Sequence, residues 1–231
     1  MVEVEIHHPG VFAGALIKLN PGEGYFSDAG AMYRMSANVN SEVTVLKRQG
    51  KGGIMGAIKR MLARESFFMA TYATTDGQPG EVGLAPTHQG DIMSLMNTPQ
   101  EQWVCSGGSF LGGQQGLSLD PTFQGFKGFF SGEAPFFLNV VGQGQFLVNG
   151  YGRIDVLDVT EGMTVDTGHL IAFTQGLQYK ISKAAKGFIS SFLSGEGFVM
   201  RFTGTGRIAV QSHDSGRFGE TMRKYMPPRE G

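Results

Sequence analysis

Three times along its 231 residues the chain runs through the same order of features: a Gly/Phe/Lys amphipathic stretch, then a glutamate, then an aromatic strand. The copies read Gly53-Ile54-Met55-Gly56-Ala57-Ile58 before Glu65-Ser66-Phe67-Phe68-Met69, Phe126-Lys127-Gly128-Phe129-Phe130 before Glu133-Ala134-Pro135-Phe136-Phe137-Leu138, and Lys186-Gly187-Phe188-Ile189 before Glu196-Gly197-Phe198-Val199-Met200. A sequence that repeats at this scale builds its core by stacking similar units, so repetition constrains the architecture before any single residue does.

Two further landmarks keep the order. A glycine turn follows each aromatic strand, at Gly80-Glu81-Val82-Gly83-Leu84, Gly142-Gln143-Gly144-Gln145-Phe146 and Gly204-Thr205-Gly206-Arg207-Ile208, with first glycines 62 positions apart both times. Gly90 and Gly152, and Ile92 and Ile154, keep the same interval. The third landmark precedes each amphipathic stretch: Gly22-Glu23-Gly24-Tyr25-Phe26, Gln100-Glu101-Gln102-Trp103-Val104 and Glu161-Gly162-Met163-Thr164-Val165.

Strand signals dominate between these landmarks. Val2, Val4 and Ile6 alternate, Glu42-Val43-Thr44-Val45-Leu46 is β-rich, and Ile154-Asp155-Val156-Leu157-Asp158-Val159 places apolar residues at two-residue spacing. Helical spacing is confined to Gly53–Ala63, where Ile54, Met55, Ile58, Met61 and Leu62 share a face, and to Lys183–Leu193, where Ala184, Ala185, Phe188, Ile189, Phe192 and Leu193 do. The expectation is an all-β chain of repeated antiparallel β-sandwich units in a pseudo-threefold arrangement with a few short helices. Repeat units cover residues 1–80, 81–143 and 144–215, the last strand closes beside the first, and 216–231 form a polar tail.

Thirty-six glycines supply the turns of such a chain, because glycine enters positive φ without steric cost. A hydrophobic fraction of 41% recurring periodically argues against disorder. Nineteen basic against twenty acidic residues give no global charge for nucleic acid. Cys105 has no intrachain partner, and the amino terminus carries no basic-then-apolar leader pattern. No apolar run approaches the ~20 residues of a bilayer span, and a cytoplasmic location is expected.

The Gly-Glu-aromatic copies and Gly-x-Gly turns, from Val2 to His213, resemble the bacterial branch of the "altered inheritance of mitochondria" (AIM-type) family, a domain of unknown function. The resemblance implies a fold like the tryptophan-attenuation protein (TRAP-like), related to double-stranded β-helices, and a tendency to oligomerise. It transfers no catalytic residues.

Glu65, Glu133 and Glu196 recur once per repeat and can ring a hard cation, but repeated residues normally report repeated packing, so a structural role is the favoured reading. Lys47, Arg48, Lys51, Lys59, Arg60 and Arg64 form a basic run with no acid inside it, echoed by Lys180, Lys183 and Lys186. Such a run binds anionic lipid or nucleic acid, or is a solvated face. His7, His8, His88, His169 and His213 are scattered without metal-ligand spacing, and Gly142-Gln143-Gly144 joins strands rather than opening a helix. No catalytic set, metal site or cofactor emerges. The expectation is a noncatalytic homo-oligomeric scaffold with an unidentified protein partner and a trimer as candidate size, the basic run being a binding surface in the alternative reading and a metal-dependent enzyme the third choice.

Overall fold

The computed structural model describes residues 2–45, 68–123, 136–183 and 198–227. Within these, one six-strand unit occurs three times. The first copy is β2 (Gly14–Leu19), β3 (Gly24–Asp28), β4 (Met32–Met35), β5 (Val39–Val45), β6 (Phe68–Thr74) and β7 (Gly80–Leu84). The second is β8 (Gly90–Asn97), β9 (Trp103–Ser106), β10 (Phe110–Gln114), β11 (Ser118–Phe123), β12 (Phe136–Val141) and β13 (Gly144–Tyr151). The third is β14 (Ile154–Val159), β15 (Met163–Asp166), β16 (Leu170–Thr174), β17 (Gln178–Lys183), β18 (Phe198–Thr203) and β19 (Gly206–Gln211). An extra strand, β1 (Glu3–His7), precedes them, and helix α1 (Ser215–Arg223) follows.

Every strand pairing is antiparallel, and each repeat gives its strands to two different sheets. The second sheet joins the β5-β6-β3 half of repeat 1 to the β10-β13-β8 half of repeat 2, and the third joins β11-β12-β9 to β16-β19-β14 in the same way. Two partial sheets remain, β1-β2-β7-β4 from repeat 1 and β15-β18-β17 from repeat 3. The pattern is one of repeats dovetailed edge to edge, with a half-sheet left over at either end of the chain.

Alternating side chains fill both faces of the joined sheets. In β13, Leu147 enters a core with Ile17, Val82, Leu84 and Tyr72, while its neighbours Phe146 and Val148 enter a second core with Trp103, Leu138 and Ile171. Similarly β9 sends Cys105 into the second core and Val104 into a third, with Phe137, Phe173, Met200 and Phe202. A strand buried on both faces reads as a continuous apolar run, as Phe146-Leu147-Val148 does. Successive sheets therefore stack on one another, each core lying between two of them.

All-β architecture and antiparallel sandwich-like packing agree with the sequence reading. Strand register places Gly83, Leu147 and Ala209 in corresponding positions, each opposite the residue that follows a bulge in its partner. In structural terms Gly80 therefore corresponds to Gly144 and Gly206, so in the first repeat the glycine motif is offset by two residues from the 62-residue interval. The Gly90/Gly152 correspondence holds, and the two glycines form a parallel bridge. A Cβ on Gly90 would lie 1.9 Å from the Gly150 carbonyl oxygen, a distance no side chain tolerates.

Closure of the last strand beside the first does not occur: β19 pairs with β14 and β16, and β1 with β2. Both termini are spent within their own repeats. The residues read as a polar tail include α1, which Asp214 caps by accepting hydrogen bonds from Gly216 N at 2.8 Å and Arg217 N at 3.4 Å. The helical stretches Gly53–Ala63 and, beyond Lys183, the one ending at Leu193 lie outside the described residues.

Candidate functional site

Two junctions tie the repeats together, and they are built alike. At the first, β3 of repeat 1 pairs with β10 of repeat 2 through Ser27↔Gly112, Phe26↔Gly113 and Tyr25↔Gln114. At the second, β9 pairs with β16 through Cys105↔Ala172, Val104↔Phe173 and Trp103↔Thr174. Beyond each junction the chain makes the same tight turn, Leu117 N donating to Gln114 O and Leu177 N to Thr174 O. A matching turn in repeat 1, Val39 N to Ser36 O, identifies β4 as the counterpart of β10 and β16.

The three counterpart strands share one irregularity. Register shifts between Phe110 and Gly112, between Leu170 and Ala172, and between Met32 and Arg34, so Leu111, Ile171 and Tyr33 occupy the same bulge. A bulge re-aims a side chain. Leu111 is 2% exposed in the first core and Ile171 0% in the second, whereas Tyr33 is 57% exposed. All five residues of β10 and all five of β16 are buried; in β4 Met32 is half-buried and Tyr33, Arg34 and Met35 are exposed. Among the described residues β4 pairs only with β7, and β15, the counterpart of β3 and β9, only with β18. Among the described residues β4 and β15 are therefore the two strands that lack the junction partner their counterparts have, and they are the two halves of a junction.

Polar staples hold the sheets together within and between repeats. The fully buried Asn97 donates from Nδ2 to Val140 O at 3.1 Å and Gly142 O at 2.7 Å, and accepts from Trp103 N at 2.8 Å. Arg207 lies over the Trp103 ring, 5.3 Å from its centroid, while Nε donates to Glu101 Oε1. Buried Asp91 accepts from Gly10 N at 2.7 Å and Ile92 N at 2.9 Å, fixing the loop after β1. Such satisfied buried groups rigidify a core.

Between repeats 1 and 2 lies a cleft of about 980 Å³, walled on one side by Glu42, Met69 and Thr71 and on the other by Leu117 and Leu119. At the corresponding place between repeats 2 and 3, Phe137, Phe173, Tyr179 and Phe202 pack ring against ring at 5.3–5.9 Å. Met69, Gly113 and Leu119 stand where the second interface has Phe137, Phe173 and Tyr179, with less side-chain volume at each position. Asp28, at the end of β3, is half-buried; desolvation lifts its carboxyl to about 6, partly offset by the Ala29 N–H.

The residues singled out from the sequence divide sharply. Lys47, Arg48, Lys51, Lys59, Arg60 and Arg64, and the glutamates Glu65, Glu133 and Glu196, lie outside the described residues. What the described residues do fix is where their segments attach: residues 46–67, 124–135 and 184–197 join β5 to β6, β11 to β12 and β17 to β18, beyond the pairs Val45↔Phe68, Phe123↔Phe136 and Lys183↔Phe198. All three connect the same two strands of the repeat. Cys105 is fully buried and burial pushes its thiol up, out of the reactive range. His169 is half-buried, its Nδ1 2.8 Å from Gln211 O. Among the described residues no three His, Cys, Asp or Glu side chains come close enough to hold a metal, and no helix is long and apolar enough to cross a membrane. The unmatched edges escaped sequence reading, although Tyr33 and Met35, apolar residues on a strand, were visible there.

These features define a class: an all-β repeat protein in which consecutive units share sheets. A profile of the family described as mitochondrial biogenesis AIM24 matches residues 4–213, and the chain belongs to that family. It is 32% identical over 217 residues to an uncharacterised protein of Streptococcus pyogenes serotype M6, covering 91% of this chain and 86% of that protein. It is also similar to the crystal structure of a Streptococcus pyogenes protein, with 27% identity and a TM-score of 0.78 over 98% of this chain and all of that one.

Proposed function

We propose that the protein is a noncatalytic, homo-oligomeric scaffold built on a rigid stack of three similar β units. The observation carrying this reading is that one six-strand unit occurs three times and consecutive units share sheets, so a contact made by one unit is offered three times within a single chain. Multiplying a weak contact in fixed geometry raises avidity without any new chemistry. Assembly of several chains extends the array; a trimer, acting in the cytoplasm on a protein partner, is the form proposed.

A second reading is favoured by the basic run at 47–64: these charges meet anionic lipid or nucleic acid. Vesicles containing phosphatidylglycerol, and heparin as a soluble polyanion, distinguish the cases at low salt. Binding that falls steeply with salt and disappears when Lys47, Arg48, Lys51, Lys59, Arg60 and Arg64 become glutamine supports the charged surface. Wild-type protein that ignores both probes removes the charged surface and leaves the protein-binding scaffold; a 24.9 kDa mass at every concentration removes the oligomeric scaffold itself.

A further inference from the structure

We infer that the two unmatched edges pair with each other between copies: β15 of one chain joins β4 of the next, making a third continuous sheet, β17-β18-β15 of one copy followed by β4-β7-β2-β1 of its neighbour. The inference rests on the homo-oligomeric reading and specifies its interface, register and polarity.

The repeat rule leads directly to this sheet. In the second and third sheets a half ending in β3 or β9 is followed by a half beginning with β10 or β16. The leftover halves end in β15 and begin with β4, in the same roles. Register carries over as well. Val165 lies opposite Met200 as Cys105 lies opposite Leu138, and Arg34 follows its bulge as Gly112 and Ala172 do. Transferring the internal pairings gives Arg34↔Val165, Met35↔Thr164 and Ser36↔Met163 across the interface. By the same transfer Tyr33 enters the third core of the neighbouring copy, as Leu111 enters the first core and Ile171 the second.

Exposure points the same way. An unpaired edge with apolar side chains is a template for another strand unless it is blocked. Tyr33 and Met35 are 57% and 40% exposed on β4, on a strand whose two counterparts are wholly buried. Two complementary and different surfaces make the contact heterologous, so copies add head to tail and finish as a closed ring when the rotation permits. Among the described residues the first and last strands fold back into their own repeats, and that junction stays open within one chain.

Cysteine cross-linking tests register and polarity together. Under mild oxidation the Met35→Cys, Thr164→Cys double variant is expected to give a ladder of covalent multimers on denaturing gels. Separately prepared single variants, mixed and allowed to exchange, are expected to give one band of two chains containing one of each. Native Cys105 is buried and serves as the internal control. A Met35→Cys, Asp158→Cys pair, off the interface, is expected to give no ladder. In parallel, Tyr33→Asp with Met35→Glu is expected to yield a folded chain of 24.9 kDa with an unchanged β-type circular dichroism spectrum. Multimers by light scattering that neither cross-link at 35/164 nor dissociate with the acidic variant overturn this interface and leave the scaffold reading in place. A wild-type monomer at all concentrations overturns both.

Discussion

Strands β10 and β4 have the same place in their repeats, the same bulge and the same following turn, yet one is entirely buried and the other almost entirely open. The difference lies in their surroundings rather than in the strands. β10 receives β3 from the repeat before it; among the described residues β4 pairs only with β7. A repeat protein usually answers this with a polar capping unit at each end. Here Tyr33 and Met35 leave apolar side chains exposed on β4, on either side of Arg34, which pairs with Glu81.

Mutating one position in all three repeats separates chain folding from assembly. Leu111→Ala and Ile171→Ala are expected to cost about 2–5 kcal/mol each, read as a lowered denaturation midpoint, because both leave cavities in closed cores. Tyr33→Ala, at the same bulge, is expected to change the stability of the isolated chain by less than about 0.5 kcal/mol while weakening self-association at least tenfold. Equal destabilisation at all three sites would mean that Tyr33 is already part of a core in the monomer.

A smaller effect concerns the first junction alone. Asp28 closes β3, and its carboxyl is raised from 3.8 to about 6 by burial. A folded-state pKa above the unfolded one makes ionisation oppose folding, so the destabilisation is absent below about pH 4, grows between 4 and 6 and is complete above 6. Asp28→Asn is therefore expected to raise the melting temperature at pH 7.5 by a few degrees and to leave it unchanged at pH 3.5. A gain of the same size at both pH values would trace the effect to something other than charge burial. Smaller still is the expected response of the cleft: Met69→Phe and Leu119→Tyr place two of the second interface's aromatics at the first interface, and both are expected to be tolerated within about 1.5 kcal/mol because the 980 Å³ space accepts the added volume. A loss above about 3 kcal/mol, of the kind overpacking produces, would show the cleft to be closed in solution.

Much of this architecture was legible in the sequence. Val4/Ile6 and Ile154/Val156 alternate as strands, and the landmarks Tyr25-Phe26, Trp103-Val104 and Thr164-Val165 fall in counterpart strands β3, β9 and β15. Two things were not legible. Sharing of a sheet between repeats depends on which edge each strand offers, and period-two patterns carry no information about edges; hence the expected pairing of last strand with first, where each instead stays in its own repeat. The glycine motif also misled by two residues in the first repeat, because a glycine marks a permissive backbone and the pairing register decides which glycine begins the strand. As for candidate residues, Glu65, Glu133, Glu196 and the basic run were chosen for recurrence and charge. The exposed positions of β4 announce themselves only by comparison with buried counterparts, which takes the fold to see.

Mass in solution tests the central claim most directly. Light scattering coupled to size exclusion, on wild-type protein diluted from high to low micromolar concentration beside the Tyr33→Asp, Met35→Glu variant, is expected to give a fixed integer multiple of 24.9 kDa for the wild type and 24.9 kDa for the variant. A wild-type mass of 24.9 kDa throughout the dilution series would contradict the account.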